Sequence, residues 1–245
     1  MAVIERIDPT PRGGILYDPE LLDRVSDRLF TPAAWDSASA VGGSLRSGGR
    51  GTTLYLSGPR GEFVLRQYLR GGLIGGFIRR VYLWSSEEST RAFREWRLLA
   101  RMHALDLPVP RPAAARYQRS GPFYSAEIMT VRIPGIRSLT DRLLDAPGSD
   151  EFWRDIGLGI GQFHAAGVDH PDLNAYNVQL DRNDRMWLLD FDRGRIASSG
   201  PWRQHNIARF HRSLRKVKRL DDNVNFTPQN WERFLDGYFS VSRSA

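Results

Sequence analysis

In the stretch HPDLNAYNVQLDRNDRMWLLDFDRGR, residues 170–195, the apolar pair Leu188 and Leu189 runs directly into Asp190. A carboxylate at the end of a buried strand is costly unless something pairs with it, so this segment narrows the available folds more than any other. The runs NVQL and MWLLDF flank a DRND turn, which predicts a short β-hairpin with Asp172, Asn177, Asp190 and Asp192 around its ends. Turn chemistry accounts for Asp181, Asn183 and Asp184. It gives no reason for Asp190.

A divalent cation would. Mg2+ takes one or two carboxylate or amide oxygens and completes its shell with water and phosphate, a set that Asn177 and Asp190 can supply. Asp172 is then a spare carboxylate, placed to accept a proton from an alcohol.

The chain around this segment changes from strands to helices. TTLYL (52–56) and GEFVLRQY (61–68), separated by SGPR, predict an antiparallel hairpin, and RPAAARYQ with GPFYSAEIMTVRI predicts a second pair of strands. Between them Phe93, Trp96, Leu98, Leu99 and Met102 recur at helical spacing, with Ser89 or Thr90 at the start. Pro134-Gly135 ends the sheet. LTDRLL, EFWRDIGLGIGQFHAAG, HNIARFHRSLRKVKRL and TPQNWERFLDGYFSV then predict helices, the last capped by Thr227 with Pro228 in its first turn. Gly157, Gly159 and Gly161 fall inside a helical pattern, where close helix packing explains them.

Several chemistries are excluded. There is no cysteine, hence no disulfide, thiolate zinc site or cysteine nucleophile, which suits a reducing compartment. The pairs His164/His170 and His205/His211 lack the spacing of a metal motif on one helix face, so His164 and His170 are expected as hydrogen-bonded core residues. No Gly-Lys-Ser/Thr occurs, and GGRG at 48–51 precedes a strand, so a Walker-type loop is excluded. That glycine-rich stretch reads equally as a lid over phosphates or as a plain surface loop. The amino terminus, MAVIERIDPTPRGG, predicts no secretory signal, and no apolar run approaches the ~18 to 20 residues of a membrane span.

The formal charge is +7, and from Arg193 to Arg219 there are nine Arg or Lys and no Asp or Glu. A local field of that sign fits an anionic partner or a solvated helix face, with equal weight. Lys216 and Lys218, both within it, are the two lysines of the chain.

HPDLNAYN with LLDFDRG resembles the catalytic and metal-binding loops of the protein-kinase-like fold, where HxDxxxxN and DFG segments are joined by a short hairpin. The element order agrees. VLRQYLRGGLIGGFIRRVYLW, STRAFREWRLLARMHALDLPVPRP, HPDLNAYNVQL, LLDFDRGR and WRQHNIARFHRSLRK further resemble the bacterial lipopolysaccharide-core sugar kinases, in particular those acting on 3-deoxy-D-manno-octulosonic acid (Kdo).

The resemblance implies a two-lobed α+β fold, with an antiparallel sheet and one helix in the amino-terminal lobe and mainly helices in the other. Residues 1–40 would be an extension packing on the lobes, 41–135 the first lobe and 136–245 the second. ATP would lie near Pro134-Gly135 and, with Mg2+, phosphorylate the 4-hydroxyl of Kdo on lipid A precursor. The protein would be peripheral, on the anionic cytoplasmic face of the bacterial inner membrane, with no nucleic acid as partner.

Position by position, the resemblance makes Asp172 the catalytic base, Asn177 and Asp190 the metal ligands, and Glu95 the helix carboxylate that pairs with Arg66. Gly49 and Gly51 would line the nucleotide lid. The chain departs from protein kinases in having Arg66 for the strand lysine, Asn174 for the loop lysine and DFD for DFG, so that Asp192 adds a metal contact or pairs with Arg193 or Arg195. These departures argue against a protein substrate. The other readings are a kinase of core heptose or of aminoglycosides, and a non-catalytic nucleotide- or nucleic-acid-binding module. Residues 69–84 are expected to touch lipid or acceptor, or to pack in the core.

Overall fold

A computed structural model describes residues 3–40, 53–68 and 82–241. The chain divides into two compact units, Met1–Ala104 with Pro110–Arg132, and Leu105–Val109 with Ile133–Ala245. An antiparallel sheet dominates the first and helices the second, as in a protein-kinase-like fold.

The sheet of the first unit contains β1 (Arg6–Thr10), β2 (Gly13–Tyr17), β3 (Ser37–Ala40), β4 (Thr53–Gly58), β5 (Gly61–Gln67), β6 (Tyr82–Leu83), β7 (Pro112–Ser120) and β8 (Phe123–Val131), in the order β1-β2-β7-β8-β5-β4-β3 with β6 beside β8. The expected hairpins form: Leu54 faces Leu65 across β4 and β5, and Ala115 faces Ile128 across β7 and β8. β7 is apolar along most of its length because it is central, while the edge strands are short and carry Pro9 on one side and SASA on the other.

Within residues 3–40, β1, β2 and β3 belong to this sheet. Ion pairs fix the chain between β2 and β3. Arg111 reaches Asp18, which is fully buried, and Glu20; Arg116 reaches Asp27 and the buried Glu127. Ile15, Tyr17, Leu22, Leu29 and Phe30 then join Leu56, Phe63, Leu65 and Met129 in one core.

The one long helix among the described residues of this unit, α1 (Arg91–Ala104), buries Phe93, Trp96, Leu99 and Met102 on one face, the spacing read from the sequence. Glu95 lies on the same buried face. A carboxylate there needs a partner.

In the second unit, β9 (Arg137–Ser138) leads into α2 (Leu139–Asp145), where the Ser138 hydroxyl accepts from the Asp141 N–H. α3 (Asp150–Ala165) follows, then β10 (Val168–Asp169), β11 (Val178–Leu180), β12 (Met186–Leu188), β13 (Arg195–Ile196), α4 (Trp202–Leu220) and α5 (Pro228–Ser240). Thr227 caps α5 in a reciprocal box with Asn230. Gly157 and Gly161 of α3 have the expected role, while Gly159 faces the Met186 side chain of β12: a Cβ at Gly157 would lie 2.0 Å from the Phe234 carbonyl oxygen, and one at Gly237 of α5 would lie 2.0 Å from that of Arg154. The two backbones approach closely only because both positions are glycine.

β11 and β12 form the expected hairpin, Val178 facing Leu188, and β9 adds to its outer side. Its turn uses Asp181, whose Oδ1 accepts from the N–H groups of Asn183 and Arg185, and Asp184, whose φ is +56. β10 pairs with β13.

Candidate active site

The loop from His170 to Asn177 is shaped by its own side chains. Asn174 Oδ1 accepts from the N–H groups of Tyr176 and Asn177, and Asn174 Nδ2 donates to the Asp172 carbonyl at 2.7 Å. Asn177 Nδ2 donates to the same carbonyl at 3.1 Å. Because a carbonyl can only accept, this bond fixes the Asn177 amide and leaves its Oδ1 as the oxygen available to a further partner.

The strand β12 stops at Leu188, two residues short of Asp190. The cause lies in Leu189, whose N–H donates to the Asn177 carbonyl at 3.0 Å and whose carbonyl accepts from His170 Nε2 at 3.0 Å. Its backbone is bonded to the loop and not to a strand. Asp190 follows with φ +66, a left-handed conformation that strains a residue with a Cβ. Asp172, Asn177 and Asp190 are thus drawn together by three bonds: Asn177 side chain to Asp172, Asn177 main chain to Leu189, and Leu189 to His170.

His170 is buried, with Nε2–H committed to Leu189 and its ring 4.8 Å from that of Phe191. Burial lowers its pKa, so it is a neutral structural group, as the sequence reading expected. His164 is likewise buried, with Nδ1 2.7 Å from the Tyr238 hydroxyl, and burial lowers its pKa to about 4.

Asp172 points outward. Its side chain is 32% exposed, with Arg209 Nη2 2.9 Å from Oδ1 and Arg193 Nη1 3.8 Å from Oδ2. Arg195, the other partner offered to Asp192, takes the buried Asp169 at 2.9 Å. Asp192 itself sits in the turn closed by the Gly194 N–H on the Phe191 carbonyl.

The donor set suits Mg2+: a fixed amide oxygen and a carboxylate, with phosphate and water left to complete six positions. No group of three or more His, Cys, Asp or Glu that could hold a metal occurs among the described residues, so an all-protein cage is absent from them.

In the first unit Arg66 Nη2 lies 2.5 Å from both oxygens of Glu95, and the Tyr68 hydroxyl donates to Glu95 Oε2 at 2.5 Å. Arg66 also stacks over the Tyr68 ring at 4.9 Å. Glu95, 4% exposed, is thereby compensated. Arg66 and Glu95 meet as the resemblance implies, while Tyr68 was given no role there; it lies two residues after Arg66, just past the end of β5. Gly49, Gly51 and most of 69–84 lie outside the described residues.

Sequence reasoning also missed what α4 does here. Asn206 Nδ2 donates to Asp169 Oδ1 at 3.1 Å, and Ser213 Oγ accepts from the Ala175 N–H at 3.1 Å. With Arg209 on Asp172, α4 holds the loop at three points.

Comparison with known proteins gives the family. The profile of the lipopolysaccharide kinase (Kdo/WaaP) family matches residues 33–238. A 3-deoxy-D-manno-octulosonic acid kinase of Stenotrophomonas maltophilia (strain K279a) is 45% identical over 228 residues, covering 92% of this chain and 89% of that protein. One of Xanthomonas campestris pv. campestris (strain B100) is 44% identical over 231 residues, with the same coverages.

Proposed function

Because the chain belongs to the lipopolysaccharide kinase (Kdo/WaaP) family, we propose that it transfers the γ-phosphoryl group of ATP to the 4-hydroxyl of Kdo on lipid A precursor, in assembly of the lipopolysaccharide inner core. The names of its relatives carry the acceptor, in preference to core heptose or an aminoglycoside. The observation that carries the chemistry is the bonding of Asp172, Asn177 and Leu189-Asp190 into one cluster.

In this reading the exposed Asp172 carboxylate accepts the proton of the sugar hydroxyl. The freed oxygen attacks the γ-phosphorus, the bond from that phosphorus to the β,γ-bridging oxygen breaks, and ADP leaves. Asn177 Oδ1 and the Asp190 carboxylate would hold Mg2+, which when bound neutralises charge on the phosphate oxygens. Arg66, held by Glu95 and Tyr68, would present its guanidinium to phosphate. Guanidinium suits that work: it is always charged and forks onto oxygen pairs, although it is broader than the ammonium it replaces.

The site of action would be the cytoplasmic face of the inner membrane. What supports this is the exposed row Arg212, Lys216 and Arg219 along α4, at spacings that keep them on one side of the helix. No described helix is long and apolar enough to cross a membrane, so the attachment proposed is peripheral.

The test is incubation with Mg-ATP and, separately, Kdo-lipid A precursor, a heptosylated core and an aminoglycoside, with products read by mass spectrometry. Phosphate on the Kdo residue is expected. Phosphate only on one of the other acceptors would sink the assignment, and bound nucleotide without transfer would mark a non-catalytic member.

A further inference from the structure

We infer that Arg209 is a positioning residue for phosphoryl transfer, a cation delivered from α4 that fixes the Asp172 carboxylate in its working orientation. The inference rests on Asp172 being the base, as proposed above.

The catalytic loop supplies no cation of its own. Asn174, where the loops it resembles carry lysine, has both ends committed to the backbone of Asp172, Tyr176 and Asn177. Arg209 fills the gap from a different element, with Nη2 donating to Asp172 Oδ1 at 2.9 Å.

Three features make this more than a chance surface pair. The first is register. Asn206, Arg209 and Ser213 lie at i, i+3 and i+7 on α4, one face of the helix, and they meet Asp169 at the end of β10 and then Asp172 and Ala175 of the loop, in the same order. Arg209 is therefore held from both sides along the helix, and its Cα cannot drift without breaking the neighbouring bonds.

The second is exposure. With side chains 46% and 32% exposed, Arg209 and Asp172 form a pair that contributes little to stability, so stability is a poor account of it. The third is orientation. Arg209 takes Oδ1 and Arg193 lies 3.8 Å from Oδ2, so the carboxylate is bracketed with its second oxygen only loosely engaged. That is the oxygen left to receive a proton.

The experiment measures kcat and the KM for ATP with Mg-ATP and Kdo-lipid A precursor, together with thermal midpoints, for Arg209→Gln, Arg209→Lys and Asp172→Asn. Arg209→Gln is expected to lower kcat by about tenfold to a hundredfold, the scale of a misplaced reacting group, with the KM for ATP and the midpoint unchanged. Arg209→Lys, which keeps the cation, should recover much of the loss. Wild-type kcat in Arg209→Gln overturns the inference, as does a loss that tracks a falling midpoint and is not relieved by lysine. If Asp172→Asn is inactive while Arg209→Gln is normal, only this inference falls. If Asp172→Asn turns over normally, the reading of Asp172 as base falls with it.

Discussion

Asp190 adopts φ +66, at a cost of ~1 kcal/mol for a residue with a Cβ. Asn tolerates that conformation about as well as Asp, so Asp190→Asn separates backbone from charge. It is expected to keep the thermal midpoint and lower turnover about a hundredfold or more, as removal of one preorganised charge-stabilising group does. Kinetics and a melting curve on the same preparation check it; an unaltered rate would remove Asp190 from the proposed metal site. His164 gives the pH prediction. Its folded pKa, about 4, lies below the ordinary 6.5 because burial disfavours the charged ring. The folded state thus binds fewer protons than the unfolded one, and stability is whole above pH 6.5 and lost as pH falls from there toward 4. The loss is at most about 3 kcal/mol, and denaturant titrations from pH 7.5 to 4.5 should show a shallower decline in His164→Gln.

Among elements, the α3–α5 crossing is the place most sensitive to one added methyl. Gly157→Ala puts a Cβ 2.0 Å from a backbone oxygen that no rotamer change can move, whereas Gly121, in the β7–β8 turn, has open space despite its φ of +58. Gly157→Ala should cost about 3 kcal/mol or more and Gly121→Ala about 1 kcal/mol, by thermal or chemical denaturation. Helices and hairpins were legible in the sequence because their signals are local: apolar spacing for α1, Thr227-Pro228 for α5, DRND for β11–β12. What it left unread depended on partners distant along the chain. The strand ending at Leu188 could not be read because its limit is set by His170 and Asn177. The alignment of Asn206, Arg209 and Ser213 with a loop some 38 positions earlier was hidden inside a run that read only as basic. The pairing of Arg66 with Glu95 was anticipated through the family resemblance, which places a helix carboxylate opposite a basic strand residue.

For the whole molecule, residues 6–17 are part of the sheet that carries Arg66. Deleting them would uncover the Ala114–Gln118 edge of β7 and leave its backbone open to intermolecular pairing. A truncation starting after Tyr17 is expected to be insoluble or to aggregate, as size-exclusion chromatography would show; a monomeric, cooperatively folding truncation would contradict this. The charge of +7 makes a second prediction. Binding to vesicles containing anionic lipid should exceed binding to neutral ones and weaken steeply from low to high salt, since the Debye length shortens from about 10 Å at 0.1 M to about 3 Å at 1 M. Cosedimentation at several salt concentrations would measure it, and indifference to lipid charge would remove the membrane role of α4.

The Arg66–Glu95 pair has one more consequence, for chemical labelling. Guanidinium is not acylated under conditions that acylate a free amine, so a nucleotide carrying an amine-directed electrophile finds no target at Arg66. The two lysines of the chain are Lys216 and Lys218, both on α4. A survey that finds nucleotide-binding proteins by lysine capture would pass over this protein, or record it by a tag on that helix, distant in sequence from the strand residue proposed to meet phosphate.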